Sequence, residues 1–343
     1  MTHSRLAALV LLATLLVAAC RDGSNSEPAA TATAEPSRTA TAAATGTPEA
    51  SATATNSPSG VAPTAGCEPE RAHAVGSSRE TIVSGGAERE YILHVPASYT
   101  GSDALPLVLN LHGYGSNAQQ QASYSGLPAK GDSAGFVVVT PQGTGQPAFW
   151  NILGAASPDD AGFMRDLIDR AEAGLCIDAA RVYSAGMSNG AAMTLRLACN
   201  LSDRIAAAAS VTGTTFPANC PSTRAVPVIA FHGTADPVVP YEGGRVGAGL
   251  GERFGLSVAP IEDSVMRWAE HDGCAGAPVR DQVTEHVSLL RYDGCVADVR
   301  LYTVDGGGHT WPGAIDVSRL GATTHEISAT DLIWDFFAAH AMP

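Results

Sequence analysis

Gly186-Met187-Ser188-Asn189-Gly190 constrains this chain more than any other stretch. It is a G-x-S-x-G pentapeptide set between two contrasting runs. Arg181-Val182-Tyr183-Ser184-Ala185 before it is short and half apolar and reads as a strand. Residues 191–199 after it are rich in Ala, Leu and Met and read as a helix. Strand, tight turn and helix in that order define a nucleophile elbow, which lifts a serine hydroxyl clear of a sheet. The glycines let backbone segments pass where a Cβ would clash. The helix brings its positive N-terminal end to the reacting oxygen. Alone, the pentapeptide is weak evidence, because short motifs recur by chance; its weight comes from what surrounds it.

Residues 90–95, 105–111, 136–140, 204–211, 225–231, 288–292 and 299–304 read as further strands. Residues 159–174, 262–270 and 328–340 read as helices. The 105–111 run is almost continuously apolar, as a strand covered on both faces must be. In 159–174, Phe163, Leu167, Ile168 and Ala171 recur at helical spacing behind an acidic start. Strands alternating with helices predict an α/β fold, a mostly parallel sheet with helices on both faces. In such sheets function gathers at the carboxyl ends of the strands.

The N-terminal part has a different character. Arg5 and the apolar run 6–17 read as a signal peptide, 1–19, too short to span a membrane comfortably. It ends Leu16-Val17-Ala18-Ala19-Cys20, which resembles a bacterial lipobox, so Cys20 is expected to carry lipid and to anchor the protein without spanning the membrane. Residues 20–66 then form a tether of Ala, Thr, Pro and Ser that cannot bury enough surface to order itself. The folded domain is expected over 67–343, a size suited to one large α/β unit. That placement predicts a protein at the cell surface, with the membrane met only through the lipid.

The net charge of −14 and a single lysine, Lys130, argue against a nucleic-acid partner, since phosphate binding needs clustered cations. Seven cysteines become six once Cys20 is lipidated, an even number that suggests three disulfides in an exported domain. Sequence does not choose among the pairings open to six cysteines; the preferred set is Cys199–Cys220, Cys274–Cys295 and, by elimination, Cys67–Cys176. C-x-x-C and H-E-x-x-H patterns are lacking, so neither a metal nor another cofactor is expected.

Three further motifs follow strands. His112-Gly113-Tyr114-Gly115 can turn a backbone N–H toward the elbow, so the N–H groups of Tyr114 and Asn189 are expected to form an oxyanion hole. Asp236, in His232-Gly233-Thr234-Ala235-Asp236-Pro237, can fix a histidine tautomer; it is preferred over Asp263 and Asp305. His309, after Gly306-Gly307-Gly308, can take and return a proton near neutrality. Ser188, Asp236 and His309 stand in the chain order of an α/β-hydrolase triad. His112 and His232 read as structural. Trp150 and Trp311 are expected to touch substrate, against the plainer alternative that both are core.

With these residues in order, the run from about 90 to 340 resembles the secreted polyhydroxybutyrate depolymerase and feruloyl esterase-like family of α/β-hydrolases. Leu111-His112-Gly113, Pro141-Gln142-Gly143, the elbow, His232-Gly233-Thr234-Ala235-Asp236 and Gly307-Gly308-His309-Thr310-Trp311-Pro312-Gly313 carry the likeness. Ala191 stands where many relatives have another glycine. The resemblance implies a metal-free serine carboxylic-ester hydrolase acting on hydroxyalkanoate polyester, or on hydroxycinnamoyl or acetyl esters of polysaccharide. A monomer is expected. The rival readings are a serine peptidase of the same fold and a non-catalytic binding module on a lipoprotein stalk.

Overall fold

A computed structural model describes Cys67 and residues 73–154, 157–247 and 255–343. The chain divides into Met1–Ser57 and Pro58–Pro343, and every described residue belongs to the second unit. The expected signal peptide, Cys20 and the tether to residue 66 lie outside the described residues. No helix among the described residues is long and apolar enough to cross a membrane.

β1 (Gly76–Ser84) and β2 (Ala87–Val95) form a hairpin. Next come β3 (Leu105–Leu111), β4 (Val137–Pro141), β5 (Ile177–Met187), β6 (Ala207–Val211) and β7 (Val228–Gly233). β8 (Gly244–Arg245) and β9 (Ser257–Val258) pair only with each other. β10 (Pro278–Gln282), β11 (Val287–Tyr292) and β12 (Val299–Val304) complete the set. The large sheet has ten strands in the order β1-β2-β4-β3-β5-β6-β7-β12-β11-β10. From β4 to β12 every neighbouring pair is parallel, and the flanking pairs are antiparallel.

Both faces of the sheet are covered, which is why its central strands are apolar throughout. Leu107, Leu109 and Leu111 point to one face, where α3 (Asp160–Gly174), α4 (Asn189–Asn200) and α5 (Ile261–His271) bury Phe163, Leu167, Met193, Leu195, Ile261 and Trp268. Val108 and Tyr183 point to the other, where α6 (Ala329–Ala338) buries Ile333, Phe336 and Phe337. Each fully buried Leu, Ile or Phe contributes about 1.5–3 kcal/mol, so these two layers dominate the stability. Cys67 is bonded to Cys176, Cys199 to Cys220 and Cys274 to Cys295. The first closes 109 residues and the others 21 each, so by loop entropy it stabilises most, about 5 kcal/mol against about 3.

Some elements differ from the sequence reading. Residues 204–206 do not belong to β6: Arg204 turns instead toward α3, pairing with Asp169 at 2.5 Å and Glu172 at 2.9 Å. β7 starts beyond Pro227, which has no N–H for a ladder. Two short helices, Ala118–Ser125 and Leu127–Ala134, were not expected, nor were the polar edge strands β1 and β10.

The topology fixes where a site can form. β4 and β5 lie on opposite sides of β3, so the connections leaving β3 and β5 diverge and open a crevice at the carboxyl edge. Along that edge Leu111 is level with Gly186, Met187 with Val211, Val211 with Phe231, and Gly233 with Val304. The loops after β3, β5, β6, β7 and β12 therefore all emerge at one end.

Candidate active site

Ser188 sits between β5 and α4 at φ 57° and ψ −119°. Among the described non-glycine residues only Ser188 and Thr212 have positive φ. A conformation of that kind costs on the order of 1–3 kcal/mol and persists only where its surroundings enforce it. Here the Ser188 N–H donates to Val211 O at 2.8 Å and the Ser188 carbonyl accepts from Ala192 N at 3.0 Å. The flanking glycines permit the turn: a Cβ on Gly186 would strike the Gly190 carbonyl, and one on Gly190 would strike the Leu111 carbonyl at the end of β3. The turn leaves Ser188 partly exposed at the N-terminus of α4.

Asp236 and His309 meet on the β7 and β12 side. His309 Nδ1 lies 2.8 Å from Asp236 Oδ2, and both residues are buried, at 4% and 7% exposure. The other oxygen, Oδ1, accepts from the N–H groups of Val238 at 2.7 Å and Val239 at 2.8 Å. His232 Nε2 adds a contact to Oδ2 at 3.2 Å while lying 2.9 Å from Val239 O. Both of those partners are acceptors, so His232 carries its proton on Nε2. Burial alone would push the Asp236 carboxyl up; the hydrogen bonds and charge of His232 and His309 outweigh it and hold Asp236 well below the usual carboxylate range. An ionised Asp236 in turn keeps the His309 proton on Nδ1 and leaves Nε2 as an acceptor. The glycines before His309 bring its loop against β7: Ala235 N donates to Gly307 O at 2.9 Å.

The loop after β3 is held just as tightly. Gly143 N donates to His112 Nε2 at 2.9 Å, so the His112 proton sits on Nδ1 and is given to Gly113 O at 2.8 Å. Burial lowers the His112 pKa and keeps the ring neutral. Gly113 lies beside Ser188: a Cβ there would come within 3.3 Å of Ser188 Cβ and 3.9 Å of Ser188 Oγ. Tyr114 follows Gly113 directly on this loop, and Asn189 is the first residue of α4. Gly113→Ala is expected to fold and to lose up to about 100-fold in kcat, because crowding displaces the reacting hydroxyl; steady-state kinetics on an aryl ester, with Tm as control, measures this.

A family model described as esterase PHB depolymerase matches residues 89–244. The putative esterase NocK of Nocardia uniformis subsp. tsuyamanensis is 30% identical over 77% of this chain and 83% of its own length. The chain belongs to the esterase PHB depolymerase family. It is an esterase. Feruloyl esterase B of Piromyces equi is 31% identical over 64% of this chain, though the match spans only 42% of that protein. Acetyl xylan esterase from Aspergillus awamori superposes with a TM-score of 0.56 over 76% of this chain and 99% of its own, at 14% identity, and shares the α/β-hydrolase fold.

For this esterase the two tryptophans need correction. Trp150 and Trp311 are each 1% exposed, so neither ring presents a face to substrate. The Trp150 indole donates to His112 O at 2.8 Å, and its backbone N–H and carbonyl are clasped by the Asn189 side chain at 2.7 and 3.2 Å. Trp150 thus braces the loop after β3 against the elbow. The Trp311 indole donates to Thr330 Oγ1 at 3.0 Å and locks the histidine loop to α6.

Other positioning groups were not singled out from sequence. Asp160, buried at the start of α3, pairs with Arg89 at 2.8 Å and accepts from Asn151 N at 2.8 Å, fixing the segment that carries Trp150. Behind β3, Asn110 donates to Ser125 Oγ at 3.0 Å and accepts from Gln121 at 2.9 Å. An Asn inside an otherwise apolar strand was the available signal for that network. Among the described residues no group of three or more His, Cys, Asp or Glu is arranged to hold a metal ion.

Proposed function

We propose that this esterase is an extracytoplasmic serine hydrolase in which Ser188, His309 and Asp236 form the triad. The observation that carries this reading is the 2.8 Å contact between His309 Nδ1 and a buried, doubly anchored Asp236 carboxylate, at the same sheet edge as a strained, partly exposed Ser188. His309 Nε2 accepts the Ser188 proton as Oγ attacks the ester carbonyl. The N–H groups of Tyr114 and Asn189 receive the developing oxyanion. His309 then returns the proton to the leaving alcohol, and water resolves the acyl-enzyme by the reverse path. Metal or redox help is not required for any of these steps.

The substrate class proposed is a hydroxycinnamoyl or acetyl ester of polysaccharide. It is supported by relatives named feruloyl esterase and acetylxylan esterase. Three disulfides in the folded unit favour an oxidising compartment, and the lipobox-like Cys20 favours a lipid anchor at the cell surface. The test is a matched panel of methyl ferulate, acetylated xylan, hydroxybutyrate oligomers and a chromogenic peptide. Feruloyl or acetyl esters are expected to give the highest kcat/KM. Preference for the oligomers would replace this substrate class with polyester, and peptide cleavage alone would replace the esterase reading.

A further inference from the structure

A second serine, histidine and aspartate are linked in a row of side-chain contacts beyond the far end of α4. Ser222 Oγ is 2.7 Å from His271 Nε2, and His271 Nδ1 is 2.8 Å from Asp272 Oδ1. Asp272 is fully buried. Ser222 and His271 are partly exposed. Burial pushes the Asp272 carboxyl up to about 6; above that pH it is a carboxylate that can only accept, so the His271 proton sits on Nδ1 and Nε2 accepts from the Ser222 hydroxyl. This is the relay that turns a serine into a nucleophile.

The site is separate from Ser188. The Cys199–Cys220 bond ties its loop to the end of α4, and Cys199 lies about 16 Å along the helix axis from the elbow at 1.5 Å per residue. Its surroundings are aromatic. The Phe216 ring is 5.6 Å from the His271 ring and 5.0 Å from Trp268, and the Arg267 guanidinium lies 4.8 Å over Phe216. Phe216 is partly exposed, so an aromatic ring can lie against it. The backbone, however, offers the intermediate little help. The N–H of Thr223, the residue after the serine, is already given to Ser202 Oγ at 2.9 Å.

We propose that Ser222 is a second acylatable serine, activated by His271 and Asp272, that takes the acyl group of small aryl esters and holds it. Ser222 Oγ bonds to the carbonyl carbon while the bond from that carbon to the aryl oxygen breaks. The proton passes from Oγ to His271 Nε2 and on to the departing phenolate. With Thr223 N–H engaged both half-reactions are slow, but acylation expels a stable phenolate whereas attack by water must expel the Ser222 alkoxide, so the site accumulates ester where Ser188 would turn over.

The test uses Ser188→Ala, which silences the first site. With p-nitrophenyl acetate it is expected to release one slow equivalent of p-nitrophenol, and peptide mapping is expected to place the acetyl group on Ser222. His271→Gln in that background should slow the acylation by roughly 100-fold, the size of a general-base contribution. Ser222→Ala should abolish it; it removes one oxygen at a partly exposed position and keeps the test decisive if glutamine at 271 loosens the end of α5. Acetyl spread over several surface residues, no acetyl on Ser222, or an unchanged rate in folded His271→Gln would overturn the proposal and leave the reading of Ser188 untouched.

Discussion

Ser188→Ala is expected to lower kcat for ester hydrolysis about a millionfold, the loss that follows removal of a triad nucleophile, while leaving Tm within a few degrees. The two halves of that expectation come from different features of the elbow. Turnover vanishes because, in the proposed mechanism, Ser188 Oγ is the atom that bonds to the acyl carbon. Stability survives because the hydroxyl has no structural duty: Ser188 precedes α4 but makes no side-chain cap hydrogen bond. The bonds holding the turn, to Val211 O and from Ala192 N, are made by the backbone and persist in alanine. Alanine also meets the same φ of 57° with the same Cβ, so the strain is not relieved. Steady-state release of p-nitrophenol beyond one equivalent, together with thermal unfolding, measures both halves. A folded variant that still turns over would remove Ser188 from the mechanism.

The parts legible in sequence were those where one residue type is forced by one local geometry. The elbow glycines could be read because strand, serine and helix stand in unbroken order, and the structure shows the backbone contacts that exclude a Cβ. The β3 run could be read because a strand covered on both faces has no polar alternation to hide it. The two helices at Ala118–Ser125 and Leu127–Ala134 were opaque for the opposite reason. The first is a Gln-rich stretch with little apolar face, held by an Asn117 cap and by Gln142 accepting from Ala118 N, and such long-range bonds leave no periodicity. β1 was missed although its signal existed: Gly85-Gly86 between Ser84 and Ala87 is a two-residue hairpin turn with both φ positive. The tryptophans were misplaced because sequence gives an aromatic's distance along the chain from His309 or from a turn, and not the side of the loop it occupies. His112 and His232 read as structural, and the structure shows what each positions: one the loop after β3, the other the carboxylate beside His309.

Asp236→Asn is expected to cost about 10,000-fold in kcat with little loss of substrate binding. The loss follows from which atoms the site can rearrange. Oδ1 accepts two backbone N–H groups, from Val238 and Val239, so an asparagine must keep its oxygen there. Its NH2 group then replaces Oδ2 and points at His309 Nδ1 and His232 Nε2, both of which donate in the native protein. His232 can still give its proton to Val239 O at 2.9 Å. His309 has no second acceptor shown for Nδ1, so it accepts from the amide and shifts its proton to Nε2. A protonated Nε2 cannot take the proton of Ser188, and the imidazolium that forms later loses its counter-charge. Stability falls as well, with a defined sign. The folded Asp236 has a lowered pKa, so its ionised form stabilises the fold at neutral pH, and that contribution fades only as pH falls below the ordinary carboxylate range. The Tm difference between Asp236→Asn and the native protein is therefore expected to be large at pH 7 and to shrink in strong acid. Measuring kcat, KM and Tm across that range separates the two effects: an asparagine variant that kept native kcat at pH 7 would show that His309 does not depend on Asp236 for its tautomer.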